Sequence, residues 1–430
     1  MSSPRSSGRL ICIHHRLAGM TGHRYHQALG LLAAAGQRGI EPLLLMHAEA
    51  DAAVRAALPG RAVLRDPVFR TDLTFDERTA AFAAMLHQHV DAELRGDDRL
   101  LLTVATQCEA RALAAWAAAL PAARRPWTVV VFVSDRWNRH GAAERERQLD
   151  ELRALAADLS RLDRAALWRL IFCTHTSGLR EELTALLGVP VHLVPTTELA
   201  AGIEPASRRP RAGPPRVALL GGARPEKGSH LLPEIVRESR ARVAVDFLLH
   251  LANEQLSEDD VSRLCRLAGE PGITVTHGPL DRAAYLSLLG ESDLLLFPYD
   301  RVAYRQRPSG IFGEAVLAGL PVVVPSGTWM AEQVIAGRAA GFAYQGEGVR
   351  PIAEAVADCA GALAALTARA RELAPAWRRD QSLDAFLDWI EAEIARRGRG
   401  APGGASGRPL PDLSSFSRRL KASIRAWARG

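Results

Sequence analysis

The order of strand-like and helix-like segments is the feature that most constrains the fold of this chain. Short apolar runs alternate with helical patterns, beginning with an apolar run at 9–15, a glycine loop, a helical stretch from about residue 23 and a second strand at 41–47. Strand, loop, helix and strand in this order open a parallel βαβ unit. The same alternation continues through most of the sequence. It predicts an α/β fold built from doubly wound parallel sheets.

An irregular segment divides this alternation into two series. Residues 202–215 are rich in Pro, Gly and Arg and have no hydrophobic period, which is typical of a linker. A chain of 430 residues is also too long for one ordinary core. We therefore predict an N-terminal Rossmann-like domain at 1–203 and a C-terminal one at 204–375, facing a central cleft. A helix at 376–397 is predicted to cross back to the first domain.

Composition argues against several other classes of protein. Hydrophobic residues make up 48% and charged residues 24%, as in a globular protein. The five cysteines are widely spaced and form no zinc-like cluster, so we expect no metal site and no disulfide. No apolar leader or membrane-length run is evident, which predicts a cytoplasmic protein. The net charge of +6 favours anionic ligands, but Arg is spread along the whole chain and we do not predict nucleic-acid binding.

The C-terminal residues form a separate pattern. A flexible Gly- and Pro-rich linker is predicted at 398–411, and a basic amphipathic helix at 412–430. The apolar residues of that helix, from Leu413 to Trp427, follow helical spacing, and cations occupy its other faces. Such a helix fits peripheral contact with the inner face of an anionic membrane. Packing on its own protein or on a partner explains the pattern equally well.

The first stretch with chemical content is VALLGGARPEKGSHLL, at 217–232. An apolar strand runs into Gly222, then Arg224 and Lys227, and then a helical pattern. Glycines let the backbone approach an anion, and a helix N-terminus offers free N–H groups. Lysine supplies a point charge and arginine a two-pronged donor. The pattern predicts phosphate binding, although a surface turn with solvated charges would have the same spacing.

The second stretch, at 291–327, contains a strand, a basic loop and the run SGIFGEAVLAGLPVVVP. Ser309 is a plausible N-cap of the next helix, which leaves the amides of Gly310, Ile311 and Phe312 free to hold a phosphate. Glu314, about one turn further, suits hydrogen bonds from ribose hydroxyls. Its alternative role is to stabilise the helix dipole as a first-turn acid.

Together these two stretches resemble the C-terminal domain of glycosyltransferase family 4, whose members have the GT-B fold of two Rossmann-like domains. The residues that carry the likeness are PEKG and, about 80 residues later, SGIFGEAVLAGLPVVVP. In the N-terminal half, the glycine loop GMTGHRYHQALGLL and the stretch that begins THTSGLREEL are also similar. The likeness extends to about Arg397.

The resemblance implies a nucleotide-diphosphate sugar donor, bound mainly by the C-terminal domain, and transfer without a metal ion or cofactor. Lys227 and Arg224 would then neutralise the diphosphate, which Gly222 and the Gly22 loop would approach, and Glu314 would hold the ribose. Two positions depart from the family pattern. Gln306 stands where the first glutamate of an acidic pair is usual, and Gly222 stands where a diphosphate arginine is usual.

Candidate residues in the N-terminal half are less specific. Asp135 ends the predicted strand WTVVVFVSD, at 127–135, and a carboxylate at the carboxyl end of a strand suits a catalytic or sugar-binding role. It could equally cap the next helix. His23, His140, His175 and His277 are interpreted as surface, loop or core histidines rather than catalytic ones.

The sequence therefore predicts a hexosyltransferase. We expect a nucleotide-sugar donor and a glycan, lipid-linked or other surface-glycoconjugate acceptor, with retention of the anomeric configuration as in most of the family. The alternative is a non-catalytic GT-B protein that binds a partner or glycan, which the two departures motivate. A nucleotide-sugar epimerase is a third hypothesis, but it needs crevice carboxylates and histidines that the sequence does not reveal.

Overall fold

A computed structural model describes residues 8–20, 23–133, 141–197, 202–204, 213–252 and 255–399. Two compact units divide this part of the chain. Unit 1 contains the described residues up to Pro195 together with those from Leu383 onward, and unit 2 extends from Thr196 to Ser382. The units thus divide after residues 195 and 382, whereas the sequence predicted domain boundaries after residues 203 and 375.

The sheet of unit 1 has seven parallel strands in the order β3-β2-β1-β4-β5-β6-β7. The strand at its centre of winding, β1, pairs with β2 on one side and β4 on the other. β5 is buried along its whole length, as the apolar run WTVVVF predicts. The strands are β1 (Leu10–His14), β2 (Pro42–His47), β3 (Gly60–Leu64), β4 (Arg99–Ala105), β5 (Trp127–Phe132), β6 (Leu170–Thr174) and β7 (Val191–Leu193).

Helices follow most strands of unit 1 and cover its sheet. Two of them begin with a capping box, Thr74 with Glu77 and Thr106 with Glu109, in which each side chain bonds the backbone N–H of the other residue. The helices are α1 (His23–Gln37), α2 (Ala52–Ala57), α3 (Phe75–His89), α4 (Gln107–Ala119), α5 (Ala142–Arg161), α6 (Arg164–Arg169) and α7 (Ser177–Leu187).

Unit 2 has six parallel strands in the order β10-β9-β8-β11-β12-β13. They are β8 (Arg216–Leu219), β9 (Asp246–Leu251), β10 (Ile273–His277), β11 (Leu294–Leu296), β12 (Val322–Pro325) and β13 (Gly341–Tyr344). Its helices are α8 (Leu232–Arg240), α9 (Glu258–Leu267), α10 (Arg282–Glu291), α11 (Arg301–Tyr304), α12 (Gly310–Leu317), α13 (Trp329–Ile335), α14 (Val349–Gly361) and α15 (Leu363–Asp380). Two doubly wound parallel sheets confirm the predicted fold class.

The last described helix, α16 (Leu383–Arg399), belongs to unit 1 although it follows unit 2 in the chain. The chain thus returns to its first unit, as the fold class predicted. Arg38, which directly follows α1, donates to Asp388, and Arg397 donates to the carbonyls of Trp168 and Leu170. The helix extends through Arg399, into the segment predicted to be a linker. The basic tail predicted at 412–430 lies outside the described residues.

One local expectation was wrong. The sequence predicted a helix directly after Lys227–Gly228, but two 3-10 turns, Pro225–Lys227 and Ser229–Leu231, come first, and α8 begins at Leu232. Gly228 has φ +69°, and a Cβ there would collide with the carbonyl oxygen of Pro298. The chain must therefore turn at Gly228 before a helix can start.

Within the described residues, no single helix is both long and apolar enough to cross a bilayer. The consecutive helices α14 and α15 meet that requirement of length and composition only together, with a bend of 83° between them.

Removing the charge of Asp98 is expected to destabilise unit 1. Asp98 is fully buried and accepts hydrogen bonds from the backbone N–H and the guanidinium of Arg9, at 2.9–3.3 Å, and from the backbone N–H of Arg95. Breaking a buried pair leaves an uncompensated buried charge, so D98N should lower the free energy of unfolding by about 3–5 kcal/mol. D388N, which removes an exposed partner of Arg38, should change it by less than about 1 kcal/mol. Urea unfolding followed by circular dichroism measures both, and equal effects would contradict the prediction.

Candidate functional site

The candidate site lies in unit 2, at the carboxyl ends of β8 and β11. These two strands are neighbours, but the chain winds outward from them in opposite directions, to β9 on one side and β12 on the other. Ligands of open parallel sheets bind at such a switch point, outside the carboxyl ends of the strands. Both segments that the sequence singled out begin here, one directly after β8 and the other after β11.

The segment after β8 places Lys227 next to the residues that follow β11, at the carboxyl end of the sheet. Gly221 has φ +105°, and Gly222 forms a single parallel bridge with Ala252, so the chain continues the strand briefly before it turns. The backbone N–H of Asp300, which follows β11, donates to the carbonyl of Glu226 at 2.9 Å. This bond and the close approach of Gly228 to Pro298 fix the lysine turn against the end of β11.

Lys227 is 6% exposed, although lysine is almost never buried without a partner. Its Nζ lies 5.5 Å from the centre of the Tyr299 ring, which gives it a cation–π contact. Burial lowers the pKa of the Lys227 ammonium to about 7, and the charges of Arg224 and Arg307 act in the same direction. A buried cation with a strongly shifted pKa is typical of a functional site.

The segment after β11 ends in the exposed N-terminus of α12. Ser309 is the N-cap, and its hydroxyl accepts a hydrogen bond from the Phe312 amide at 3.4 Å. The Phe312 amide is thus occupied by the cap. The amides of Gly310 and Ile311 have no acceptor among the described residues, and Gly310 is exposed with open space around it. Two of the predicted anion-binding amides, at the N-terminus of α12, are therefore available to a ligand.

The two segments meet. A Cβ on Gly221 would lie 3.2 Å from Lys227 Nζ and even closer to the side chain of Ile311, in the first turn of α12. The ammonium group and the start of the helix are therefore adjacent. A lysine charge and the positive end of a helix dipole converge on one region, which is the arrangement that the sequence predicted for a diphosphate.

Two arginines flank this region and are already engaged. Arg224 Nη1 lies 3.4 Å from Glu226, and the backbone N–H of Arg224 donates to the Ser229 hydroxyl. The guanidinium of Arg307 lies 4.9 Å from the centre of the Tyr304 ring. Both side chains are half-buried and both act on the pKa of Lys227. Arg224, displaced from the family position, thus still contributes positive charge near the lysine.

Glu314 is held by two residues of α10. Arg282 Nη1 donates to one carboxylate oxygen at 2.6 Å, and the Tyr285 hydroxyl donates to the other at 2.5 Å. The Glu314 side chain is 14% exposed. An ionised carboxylate has about four acceptor positions, so two remain after these bonds. Burial and the Glu314 carboxylate together raise the pKa of the Tyr285 hydroxyl, which stays a proton donor.

The remaining candidates are placed as follows. Gln306 is buried in unit 2 and Gly222 lies beside Ala252. His175 is buried at the end of β6, where its Nδ1 lies 3.4 Å from the Val194 carbonyl oxygen. Gly22, Asp135 and His140 lie outside the described residues, so their predicted roles stay predictions.

No group of three or more His, Cys, Asp or Glu side chains in the described part of the chain has the geometry of a metal site. The four described cysteines other than Cys265 are buried, and burial raises the pKa of the Cys12, Cys108 and Cys359 thiols to about 12. The predicted transfer without a metal ion stays a prediction.

Sequence reasoning missed the partners of the site. Tyr299, Arg282 and Tyr285 were not singled out, because none belongs to a motif. Tyr299 follows the strand DLLLFP directly, so its position at the end of a strand was an available signal. Arg282 and Tyr285 lie on a separate helix, and only the packing of α10 against α12 brings them to Glu314.

The two units and the returning helix together identify the fold class. Two Rossmann-like units with parallel sheets, and a last helix that returns to the first unit, form the GT-B fold of glycosyltransferases. No protein-family model and no curated protein matches the sequence, so the likeness is carried by structure.

Solved structures with this fold match almost the whole chain. Anabaena Alr3699/HepE in complex with UDP-glucose has a TM-score of 0.60 and 14% sequence identity over 90% of this chain and 99% of its own. The α,α-trehalose 6-phosphate synthase of Burkholderia multivorans has a TM-score of 0.63 and 13% identity over 91% and 99%. WaaG, a glycosyltransferase involved in lipopolysaccharide biosynthesis, has a TM-score of 0.58 and 12% identity over 92% and 100%. At such identities these likenesses show the fold.

Proposed function

We propose that this protein is a glycosyltransferase that takes a hexose from a nucleotide-diphosphate donor bound by unit 2. The observation that carries the proposal is the convergence of Lys227 and the N-terminus of α12 at the switch point of the sheet. The proposal agrees with the fold, and with the UDP-glucose that HepE binds. Uridine nucleotides are therefore the first donors to test.

The charges of this region suit a diphosphate better than a neutral ligand. Lys227, Arg224 and Arg307 contribute up to three positive charges, and the Glu226 carboxylate compensates only one of them. The free amides of Gly310 and Ile311 add two hydrogen-bond donors that point out of the helix. An incoming diphosphate would restore the charged form of Lys227, because a nearby anion favours the ammonium over the amine.

The chemistry follows from this arrangement. As the bond between the sugar and the donor breaks, negative charge develops on the departing diphosphate. Lys227 and the α12 amides would stabilise that charge from fixed positions, which is commonly the largest catalytic contribution of such a site. No metal ion is needed for this step. Acid–base chemistry on the acceptor belongs to unit 1, where Asp135 stays the proposed residue.

The acceptor and the stereochemistry are further parts of the proposal. We propose a glycan, lipid-linked or other surface-glycoconjugate acceptor, and retention of configuration, on the resemblance of PEKG and SGIFGEAVLAG to glycosyltransferase family 4. WaaG, which shares the fold, acts in lipopolysaccharide biosynthesis. Peripheral membrane contact through residues 412–430 would suit such an acceptor, and the site of action would then be the inner face of the membrane.

The test is release of the nucleoside diphosphate. The full chain is incubated with radiolabelled UDP-glucose, UDP-galactose, GDP-mannose or other sugar nucleotides in the presence of EDTA, and nucleoside diphosphate is measured. Thermal shift with the same ligands screens binding, since a ligand at 100 times its dissociation constant stabilises by about 2.7 kcal/mol. Absence of both binding and release with every donor would refute the proposal.

If Glu314 holds the ribose, its replacement should abolish discrimination between ribose and deoxyribose. We expect the wild-type protein to bind UDP roughly tenfold or more tightly than 2′-deoxy-UDP, because a hydrogen bond to a charged group contributes about 1.5–3 kcal/mol. E314Q should bind the two ligands nearly equally. Isothermal titration calorimetry of the wild type and E314Q, each with UDP and with 2′-deoxy-UDP, measures the coupling energy between Glu314 and the 2′-hydroxyl.

The control for this experiment is E354Q, which removes an exposed carboxylate paired with Arg350 in the same unit. It should leave the discrimination intact. Preserved discrimination in E314Q, combined with a lower melting temperature, would show that Glu314 serves only as the partner of Arg282 and Tyr285.

A non-catalytic protein is the second candidate. Each oxygen of Glu314 already accepts a hydrogen bond from α10, and Gln306 replaces a glutamate usual in the family. Both observations fit a site that binds but does not turn over. Nucleotide-sugar binding without diphosphate release, unaffected by K227A, would favour this candidate over the enzyme.

A further inference from the structure

Unit 1 has a pocket at the carboxyl ends of β1 and β4. These strands are neighbours from which the chain winds outward in opposite directions, to β2 and to β5, so the pocket lies at the switch point of the first sheet. Ligands of such sheets bind at this edge. The residues that line it are Ile13, His14, His15, Arg16, Arg24, Leu102, Thr103 and Val104.

Arg24 is the most unusual residue of this pocket. It lies in the first turn of α1, is half-buried, and forms no hydrogen bond or ion pair with any described residue. Burial lowers the pKa of its guanidinium, and the neighbouring Arg16 charge lowers it further. Half-buried cations are normally paired, so an arginine without a partner in a pocket indicates a ligand with negative charge.

The acidic groups nearby are bound to other residues. Asp66 pairs with Arg16 at 3.3 Å, and Glu109 pairs with His15 at 3.2 Å while it caps its own helix through Thr106. Each of these carboxylates thus makes its closest contacts with residues other than Arg24. Their charges still raise the pKa of Arg24, but neither carboxylate forms a hydrogen bond or an ion pair with its guanidinium.

The N-terminus of α1 adds a positive electrostatic potential near Arg24. α1 is 15 residues long and has no acidic residue in its first turn, so nothing on the helix neutralises the positive end of its dipole. His15 is 3% exposed, and its Nδ1 has no hydrogen-bond partner among the described residues. A buried ring nitrogen without a partner is costly unless a ligand or water contacts it.

We propose that this pocket binds a phosphate group of the acceptor, with Arg24 as its principal ligand. The assignment rests on the proposed function, in which the diphosphate of the donor is held by Lys227 and α12 in unit 2. A second anion site in unit 1 then serves the second substrate. Guanidinium groups bind phosphate oxygens through two parallel hydrogen bonds, and helix N-termini favour the same ligand. The acceptor is a phosphate ester, either a free sugar phosphate or a lipid headgroup.

The experiment compares binding of two anionic ligands by two variants of the full chain. Calorimetry measures the affinity for glucose 6-phosphate and mannose 6-phosphate, with the free sugars as references, and for UDP. Co-sedimentation measures binding to phosphatidylcholine vesicles with and without phosphatidic acid. R24Q should weaken binding of the phosphate ester at least about tenfold and leave UDP affinity unchanged, and K227M should do the reverse.

Several controls make the outcome decisive. R180Q removes an exposed charge from unit 1 and should leave every affinity unchanged. R24K keeps the charge, and circular dichroism shows whether each variant is folded. Binding of a soluble sugar phosphate would identify the ligand as a free sugar phosphate. Binding only to vesicles that contain phosphatidic acid would identify it as a lipid headgroup. Either result supports the proposed site if R24Q abolishes the binding.

Three results would overturn the assignment: no phosphate ester binds, R24Q binds as the wild type does, or R24Q also loses UDP. The last would place Arg24 in the donor site. If UDP fails to bind while the phosphate ester binds through Arg24, the proposed donor function fails and the pocket stands. The two proposals are thus tested separately.

Discussion

K227M is expected to reduce turnover of a nucleotide-sugar donor by about 10²–10³-fold, the loss typical when one fixed donor to developing charge is removed. Methionine fills a similar volume without the charge, so the buried site beside Tyr299 and Ile311 stays packed. Donor affinity should fall roughly ten- to hundredfold, since a hydrogen bond to a charged group contributes about 1.5–3 kcal/mol. Release of nucleoside diphosphate and calorimetry measure the two effects.

K227R and R350M are the controls for this prediction. R350M removes an exposed charge from the same unit and should leave turnover unchanged. K227R keeps the charge, but its wider planar head cannot fit where the Lys227 ammonium stands beside Gly221 and Ile311, so full activity should not return. Wild-type turnover by K227M would remove Lys227 from the proposed mechanism.

The choice of lysine at this position is informative in a chain that otherwise uses arginine. Lys and Arg together number 54, and only two of them are lysines, Lys227 and Lys421. Arginine stays charged at any accessible pH, whereas a buried lysine can lose its proton. A site that is buried when empty and charged when an anion arrives therefore favours lysine.

The fold was predictable because apolar runs and turn residues repeat with the period of βαβ units. Buried strands such as β5 are continuous apolar runs, and α12 begins at the predicted N-cap Ser309. Short strands at the edges of the sheets, β3 and β13, escaped prediction because they are only partly buried and their sequences carry no clear pattern. The 3-10 turns after Lys227 were missed because the collision that enforces them is with Pro298, distant in sequence.

The candidate site was predictable to a lesser extent. Gly222, Arg224, Lys227 and Ser309 were found from local spacing, and the structure places them around one region of unit 2. The Arg282–Glu314 pair joins residues on two different helices, so no pattern of neighbouring residues in the sequence predicts it. The lack of an ion pair between Arg24 and any described residue likewise depends on which residues the nearby carboxylates contact, and only three-dimensional packing decides that.

K227M is also expected to stabilise the empty protein, most strongly at low pH. Burial lowers the pKa of Lys227 from its ordinary 10.5 to about 7. Between these values the unfolded chain binds more protons than the folded one, so wild-type stability rises with pH across this window. Below pH 7 the folded protein bears the full free-energy cost of burying the charged ammonium. That cost is about 1.4 kcal/mol for each unit by which the pKa of Lys227 is lowered. K227M should therefore be more stable than the wild type by on the order of 5 kcal/mol at pH 6, and the difference should shrink towards pH 10.

The difference between wild type and variant isolates this one group, because all other titrating residues are common to both. Urea unfolding at pH 6, 7, 8 and 9.5 measures it, and R350M should show no such trend because arginine does not titrate in this range. Side-chain NMR of lysine-labelled protein tests the cause directly, since two lysines give two signals. A Lys227 signal that titrates near 10.5, or a stability difference independent of pH, would show that the ammonium stays charged in the empty site. Saturating UDP should abolish the trend in the wild type, because a bound diphosphate keeps Lys227 protonated across the window.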